Sequence, residues 1–295
     1  MPKIAVFGGT SYLASLIKNL NNIRNNEYVF FSRKKTDKNY INYLSKNKNL
    51  NIFKNFDFAI HLVGPNQNQL KRNINLIKKK NLITSQICNL CLENNIKLIY
   101  LSSMQVYKDY GKNNISINSK INLKNSYSKS HYQSEKIIIK KFLRKKKMFT
   151  ILRVGNVFGF KKYKNLREIK DNLIHNLCYS AVEKKKIFIQ KGNIQRTFIP
   201  SHIFVKTINL IIKKKLFGNS VVNISYKNLY LKEIADIIQK RIKLSLNEYI
   251  NIKIKFSQYK KKFLINQNRN LKFKPLNKII YKEIDQILNF LLKNT

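Results

Sequence analysis

MPKIAVFGGTSYLASLIK, residues Met1 to Lys18, is the stretch whose reading decides the fold. Lys3 to Phe7 is a short apolar run able to form a strand, and Leu13, Leu16, Ile17 and Leu20 then recur at helical spacing. Gly8 to Ser11 is therefore read as a strand-to-helix turn. The first N–H groups of such a helix have no internal partners and its dipole is positive outward, which suits a pyrophosphate. Gly8 and Gly9 leave the approach open. The spacing Gly8-x-x-Ser11-x-x-Ala14 has one glycine and two small substitutes where a dinucleotide fingerprint has three glycines. Taken alone, the turn fits a dinucleotide site or the ordinary first turn of an α/β domain.

Working outward, strands and helices alternate through the first half of the chain. Strands are predicted at Tyr28–Phe31, Phe58–Leu62, Lys97–Leu101 and Thr150–Leu152, with helical segments between most of them. Such alternation predicts an α/β fold with a doubly wound parallel sheet. Ligands in these sheets bind at the carboxyl ends of the strands, where Gly8, Ser32, Gly64, Ser103 and Asn156 fall. Beyond residue 160 the alternation loosens. Tyr163–Lys186 reads as loop then helix, Ile187–Ile189 as a short strand, and His202–Lys215, Leu231–Lys243 and Tyr281–Leu292 as helices.

The charge invites a different reading. The 295 residues hold 59 Lys+Arg against 14 Asp+Glu, a net charge of +45, which taken literally is the footprint of a nucleic-acid binder. The basic residues are spread over the whole length, lysine dominates, asparagine and isoleucine abound, and tryptophan is absent. Codon bias in an AT-rich genome produces that pattern. The diffuse positive field would speed the arrival of any anionic substrate and allow non-specific RNA binding. A hydrophobic content of 43% suffices for a large core. No apolar run is long enough for a membrane span and no secretory leader is read, so the expectation is a cytoplasmic protein. Cys88 and Cys91 lie one helical turn apart beside Ile87 and Leu92, a core-packing pattern. With Cys178 remote and no histidine pair to complete a zinc set, no metal is expected.

Several further motifs, in order, resemble one family. Phe7–Ala14, then DFAIHLVG (Asp57–Gly64), then LSSMQVY (Leu101–Tyr107), are similar to the extended short-chain dehydrogenase/reductases of the nucleotide-sugar epimerase/dehydratase group. YSKSH (Tyr127–His131) with Glu135 resembles that family's Tyr-x-x-x-Lys helix, and LRVGNVFG (Leu152–Gly159) its Leu-Arg-x-x-Asn-Val-Tyr-Gly segment. Arg196–Ile199 and Val221–Ile224 extend the likeness, which covers residues 3 to 245. It implies a dinucleotide-binding Rossmann domain over 1–160, to which part of 200–225 returns, and a smaller α/β substrate-binding lobe over most of 161–295.

The resemblance also implies the chemistry. A tyrosine takes a proton from a sugar hydroxyl as hydride leaves the same carbon for the nicotinamide, and a serine holds the oxygen. By position these are Tyr127 and Ser103. The cofactor would lie against Gly8, Thr10, Ser11, Tyr12 and Leu13, against Ser32 and Arg33, and along Leu62, Val63, Gly64, Ser102 and Val154. The nucleotide sugar would meet Asn156, Asn172 and Arg196, the last well suited to a phosphate. After the second strand the chain reads Ser32-Arg33-Lys34-Lys35, without the acid that holds a free ribose, which favours NADP(H) over NAD(H). Two family helices matching Asn81–Glu93 and Tyr127–Phe142 build a homodimer interface.

The main departure is His131, where the family has lysine. A tyrosine with an ordinary pKa near 10 needs positive charge nearby to act as a base, and a histidine of ordinary pKa about 6.5 supplies less of it. Lys129, about 200° round the helix, is no substitute. Tyr132 with Lys136 does spell Tyr-x-x-x-Lys, but that register breaks the spacing from Ser103 and turns the face by about 140°. A second departure is Lys80, which stands where the family's Asn-x-x-x-Thr has its asparagine, Thr84 being the threonine. His61, His175 and His202 are assigned no role. Besides an epimerase, 4-keto reductase or dehydratase of surface-polysaccharide synthesis, the sequence leaves two alternatives. They are a catalytically impaired relative that binds RNA and a cofactor-binding regulator.

Overall fold

The computed structural model describes residues 1–20, 26–33, 50–108, 110, 114–160, 172–189, 194–214, 216, 218–246, 251–254 and 273–293. Among these, the first half runs β1 (Lys3–Phe7), α1 (Tyr12–Leu20), β2 (Glu27–Phe31), β3 (Phe58–His61), α2 (Gln67–Arg72), α3 (Leu76–Glu93), β4 (Lys97–Ser103), α4 (Ser126–Arg144) and β5 (Phe149–Val154). The rest runs β6 (Asn156–Phe158), α5 (Leu173–Lys184), β7 (Lys186–Ile189), β8 (Gln195–Pro200), α6 (Ser201–Lys213), β9 (Ser220–Ile224), β10 (Lys227–Tyr230), α7 (Leu231–Leu246), β11 (Asn251–Ile254) and α8 (Asn277–Leu292).

Two compact units emerge. The first comprises Met1–Lys108, Lys120–Val154 and Val205–Asn223; the second comprises Asp109–Ser119, Gly155–Phe204 and Ile224–Thr295. The first is built on a six-stranded sheet in the order β2-β1-β3-β4-β5-β9, and β1 pairs in parallel with both β2 and β3, as do β3 with β4 and β4 with β5. Its strands read as continuous apolar runs because helices cover both faces, as parallel sheets require. The fold is the doubly wound α/β architecture that the alternation predicts. Phe7, Phe31, Phe53 and Phe56 cluster in the core, with Phe31 and Phe53 ring centroids 5.0 Å apart. Cys88 and Cys91 are buried, free thiols of the same core. No helix among the described residues is long and apolar enough to cross a membrane.

The second unit holds a three-stranded sheet in the order β10-β8-β6, the parallel pair β11-β7, and helices α5, α7 and α8. Two expectations are corrected here. Asn156 does not end the fifth strand of the main sheet: it opens β6, which pairs with β8 through Asn156↔Phe198. Lys186 does not close the helix before it but begins β7, because Lys185 turns left-handed with φ 47° and ends α5.

Candidate active site

The turn after β1 is shaped by Gly8, whose φ of +93° suits only glycine, and a Cβ there would lie 3.2 Å from the backbone of Leu62 and Val63. The N–H groups of Gly8 and Gly9 both donate to the Phe31 carbonyl, at 3.1 and 2.8 Å, tying the turn to the end of β2. Ser11, one of the small substitutes, caps α1: its Oγ accepts the Ala14 N–H at 3.2 Å. Thr10 is exposed, and Tyr12 and Leu13 open the helix. A bare glycine turn leading into a capped helix N-terminus fits a pyrophosphate. Ser32 is buried and Arg33 exposed at the end of β2, whereas Lys34 and Lys35 lie outside the described residues, as does Tyr163–Lys186 before Asn172.

At the end of β4, Ser103 begins a short 3₁₀ turn and its Oγ accepts the Gln105 N–H at 3.2 Å. Helix α4 starts against that turn. Asn125 caps it by accepting the N–H of Tyr127 at 2.8 Å and of Ser128 at 3.2 Å, and Ser128 Oγ donates to the Gln105 carbonyl at 2.5 Å. These bonds bring the start of α4, and Tyr127 with it, beside the turn that Ser103 begins. Burial raises the pKa of Tyr127, and the nearby Ser103 hydroxyl, which favours the phenolate, opposes it. Tyr132 instead places its ring beside exposed Lys136, 6.0 Å from Nζ, and Lys129 is exposed.

Behind Tyr127 the side chains form a layered network. The rings of Tyr127 and His131 meet with centroids 4.6 Å apart, and His131 Nδ1 is 3.0 Å from the Tyr100 hydroxyl. His61 Nδ1 accepts the Val63 N–H at 3.2 Å, so its Nε2 carries the proton and donates to Thr84 Oγ1 at 3.0 Å. Thr84 Oγ1 passes on to Ser134 Oγ at 3.3 Å, and Ser134 to the Ser130 carbonyl at 3.2 Å. Burial, aided by nearby Lys80, pushes the His61 pKa down to about 3, and the same causes hold His131 well below its ordinary 6.5. Both imidazoles are neutral.

Glu135 anchors the far side. Its carboxylate receives Arg153 Nε at 3.0 Å and Nη2 at 2.6 Å, and the Ser102 hydroxyl at 2.5 Å. Ser102 thereby turns its hydroxyl inward. Val154 is buried beside Arg153 in sequence, while in the segment after β3 Leu62 and Val63 are half-buried and Gly64 is exposed. Lys80, on α3, is 2% exposed, and its Nζ has no hydrogen-bond partner among the described residues. Sequence reasoning assigned no role to Tyr100 or to a Glu135–Arg153 pair, and saw Lys80 only as a departure from the family motif. The signal for Lys80 was its place on the apolar stripe Ile77, Lys80, Ile83, Thr84, Ile87 of α3, which the structure buries.

The three residues expected to meet the sugar nucleotide belong to the second unit. Asn156 Nδ2 donates to the Thr197 carbonyl at 3.1 Å. Asn172 caps α5, accepting from Ile174 and His175, and donates to the Val157 carbonyl at 3.0 Å. Arg196 is stacked 4.9 Å from the centre of the Tyr110 ring and uses Nη1 for the carbonyls of Tyr110 and Gln195, both at 3.2 Å. His175 and His202 have framework partners, the Gly159 carbonyl at 2.9 Å and Glu283 at 3.3 Å. Among the described residues no group of three or more His, Cys, Asp or Glu side chains could hold a metal ion.

A parallel doubly wound sheet with a glycine turn after β1, and a serine and the start of α4 at the end of β4, define a fold of the dinucleotide-binding type. Comparison with known families makes this definite: the NAD dependent epimerase/dehydratase family matches residues 4–225, and the chain belongs to it. Among solved structures, it is similar to a UDP-N-acetylglucosamine 4-epimerase from Methanobrevibacter ruminantium, in complex with UDP-N-acetylmuramic acid. The TM-score is 0.80 and the identity 18%, over 100% of this chain and 99% of that one. A UDP-N-acetylglucosamine 4-epimerase from Bacillus cereus gives 0.78 at 20% identity, over 100% and 98%. A UDP-glucuronic acid 4-epimerase from Bacillus cereus, in complex with UDP-glucuronic acid and NAD, gives 0.75 at 16%, over 99% and 100%. At these identities the likeness is one of fold. No curated protein matches the chain in sequence.

Proposed function

We propose that the protein is an NAD(P)-dependent enzyme acting at C4 of a nucleotide-activated sugar, as a 4-epimerase or a 4-keto reductase or dehydratase of surface-polysaccharide synthesis. The observation that carries this reading is the placement of Tyr127, at the capped start of α4, beside the turn that Ser103 begins, in the unit whose first turn Gly8 shapes. The nucleotide-sugar complexes of similar folds support a UDP-sugar as substrate. Gly8 and the Thr10–Leu13 turn would hold the pyrophosphate, Ser32 and Arg33 the adenosine ribose, and Leu62, Val63, Gly64, Ser102 and Val154 would line the rest. When bound, the nicotinamide exchanges hydride with the sugar carbon.

Tyr127 takes the hydroxyl proton of that carbon and returns it, and Ser103 holds the oxygen while both do so. The Ser103 hydroxyl is held by the Gln105 N–H, and Tyr127 is held by the Asn125 cap on its backbone N–H and by its ring contact with His131, so little ordering is required at the moment of reaction. Asn156, Asn172 and Arg196 serve the nucleotide diphosphate and sugar. Arg33 favours NADP, although a similar fold carries NAD. A homodimer through α3 and α4 is supported by the outward Leu82, 51% exposed, and by the family resemblance. Three buried free cysteines suit a reducing cytoplasm.

The test is to incubate the purified protein with NAD(H) or NADP(H) and a panel of UDP-sugars, with gel filtration for the dimer. Interconversion or reduction of at least one sugar is expected. A protein that neither binds a nicotinamide cofactor nor changes any nucleotide sugar refutes the reading.

A further inference from the structure

Two family positions are exchanged in charge in this chain. The motif helix carries His131 where the resemblance implies lysine, and α3 carries Lys80 where it implies asparagine. In the sequence these look like separate losses. In the structure they meet in one cluster. The Lys80 ammonium lies over the ring of Tyr100, 5.8 Å from its centre, and the hydroxyl of the same Tyr100 is 3.0 Å from His131 Nδ1. His131 in turn touches Tyr127.

The end of the Lys80 side chain also lies against Gly64, three residues past β3 and one of the positions expected to line the cofactor, where an added Cβ would be 3.1 Å from Lys80 Cε and 3.4 Å from Nζ. Lys80 is 2% exposed, yet the nitrogen has no hydrogen-bond donation to any described residue. Leaving an ammonium buried and unbonded is costly, and this one lies beside a position expected to line the dinucleotide. We propose that Lys80 has taken over the work of the missing motif lysine, donating hydrogen bonds to a ribose hydroxyl of the bound dinucleotide and supplying positive charge to the Tyr127 site. His131 then serves as the neutral spacer that holds Tyr127 against Tyr100.

The electrostatics agree with this placement. Burial lowers the Lys80 pKa to about 7, with Glu135 pulling it back. The groups facing it are His61 on β3 and His131 on α4, both pushed low and neutral, Tyr100 on β4, pushed high and neutral, and Glu135 on α4, which is committed to Arg153. Lys80 is therefore the group whose charge changes near neutrality, and cofactor binding would stabilise its charged form.

The inference rests on the proposed function, and the experiment separates the two. NADPH and NADH binding by fluorescence titration, and UDP-sugar turnover, are measured for the unaltered protein, Lys80→Met, Lys80→Asn, His131→Lys and the double variant Lys80→Asn/His131→Lys. Thermal melting checks each fold. Lys80→Met, which keeps length and removes charge, should weaken cofactor binding by about tenfold or more, the size of one charge-assisted hydrogen bond. It should also lower turnover by about 100-fold. Unaltered protein should lose cofactor affinity as pH rises from 6 to 8.5, and Lys80→Met should not. The double variant should recover at least tenfold of the turnover that Lys80→Asn loses. Folded Lys80→Met with unchanged affinity, turnover and pH profile overturns the inference while leaving the function intact, and so does a double variant no better than Lys80→Asn. If the unaltered protein binds no dinucleotide, the proposed function fails and this inference with it.

Discussion

Tyr127 and His131, one turn apart on α4, meet ring against ring with centroids 4.6 Å apart and planes inclined at 63°. The contact packs the Tyr127 ring against an aromatic edge where a flexible chain would otherwise sit. Tyr127→Phe preserves that contact and removes only the oxygen. It should lower turnover by about 10²–10⁴, the usual contribution of a general acid–base group, with cofactor affinity and melting temperature little changed. Steady-state kinetics beside a cofactor titration decide it. A Tyr127→Phe protein as active as the parent would remove Tyr127 from the chemistry.

The buried histidines make stability depend on pH. His61 has a folded pKa of about 3 against an ordinary 6.5, so below pH 6.5 the unfolded chain takes up a proton that the native state refuses. The unfolded state then binds more protons, and stability falls as pH falls. Between pH 7 and pH 5, His61 alone should remove about 2 kcal/mol, and His131, shifted in the same direction, adds to it. Urea unfolding at the two pH values measures the difference, and His61→Asn should reduce it. Equal unfolding free energies at pH 5 and 7 would show that His61 is protonated without penalty in the native state.

Gly8 ties the sequence to the site most directly. At φ +93°, and with the backbone of Leu62 and Val63 3.2 Å from any added Cβ, Gly8→Ala should cost about 1–2 kcal/mol. It should also weaken dinucleotide binding, since the new methyl stands at the turn through which pyrophosphate approaches. Chemical denaturation and a cofactor titration read both effects. A Gly8→Ala protein with parental stability would mean that the turn relaxes to negative φ.

These residues were open to sequence reading in unequal measure. The glycine turn and the strand positions are local, so periodicity reaches them, whereas the Ser103–Tyr127 pair was reached only through the family resemblance. Lys80 was visible only as a departure. It sits in the run Lys78-Lys79-Lys80, where composition suggests three solvated side chains, and only its register with Ile77, Thr84 and Ile87 marks it as inward. Its partners Tyr100, Gly64 and His131 lie on other elements, and their meeting depends on how α3 and α4 cover the sheet, which no single-chain spacing encodes. The small β10-β8-β6 sheet was likewise hidden. Its strands are four, six and three residues long, too short for alternation to separate from loop.

The Arg153–Glu135 pair buries a full charge of each sign in the first unit with bidentate geometry. Removing one partner strands the other. Arg153→Met should cost about 3–5 kcal/mol because the Glu135 carboxylate loses both guanidinium bonds and keeps only Ser102. The double variant Arg153→Met/Glu135→Leu should recover much of that loss, since a well-packed apolar pair replaces a desolvated ionic one. Urea midpoints of the three proteins test the pair. A loss for the single variant no greater than for the double would mean that water reaches Glu135.

The proposed preference for NADP rests on one exposed residue, Arg33. Where a free adenosine ribose is held, an acid after the second strand accepts both of its hydroxyls; here Phe31 is followed by buried Ser32 and exposed Arg33. A guanidinium cannot accept those hydroxyls, but it forms charge-assisted hydrogen bonds to a 2′-phosphate, each about 1.5–3 kcal/mol. NADPH should therefore bind about tenfold or more tightly than NADH, and the preference should shrink with added salt because Arg33 is solvent-exposed. Arg33→Ala should weaken NADPH binding and leave NADH binding nearly unchanged. Titrations of both dinucleotides against both proteins give the ratio. Equal affinities in the unaltered protein, or a loss of NADH binding equal to that of NADPH in Arg33→Ala, would show that Arg33 does not read the phosphate and that the ribose is held by backbone alone.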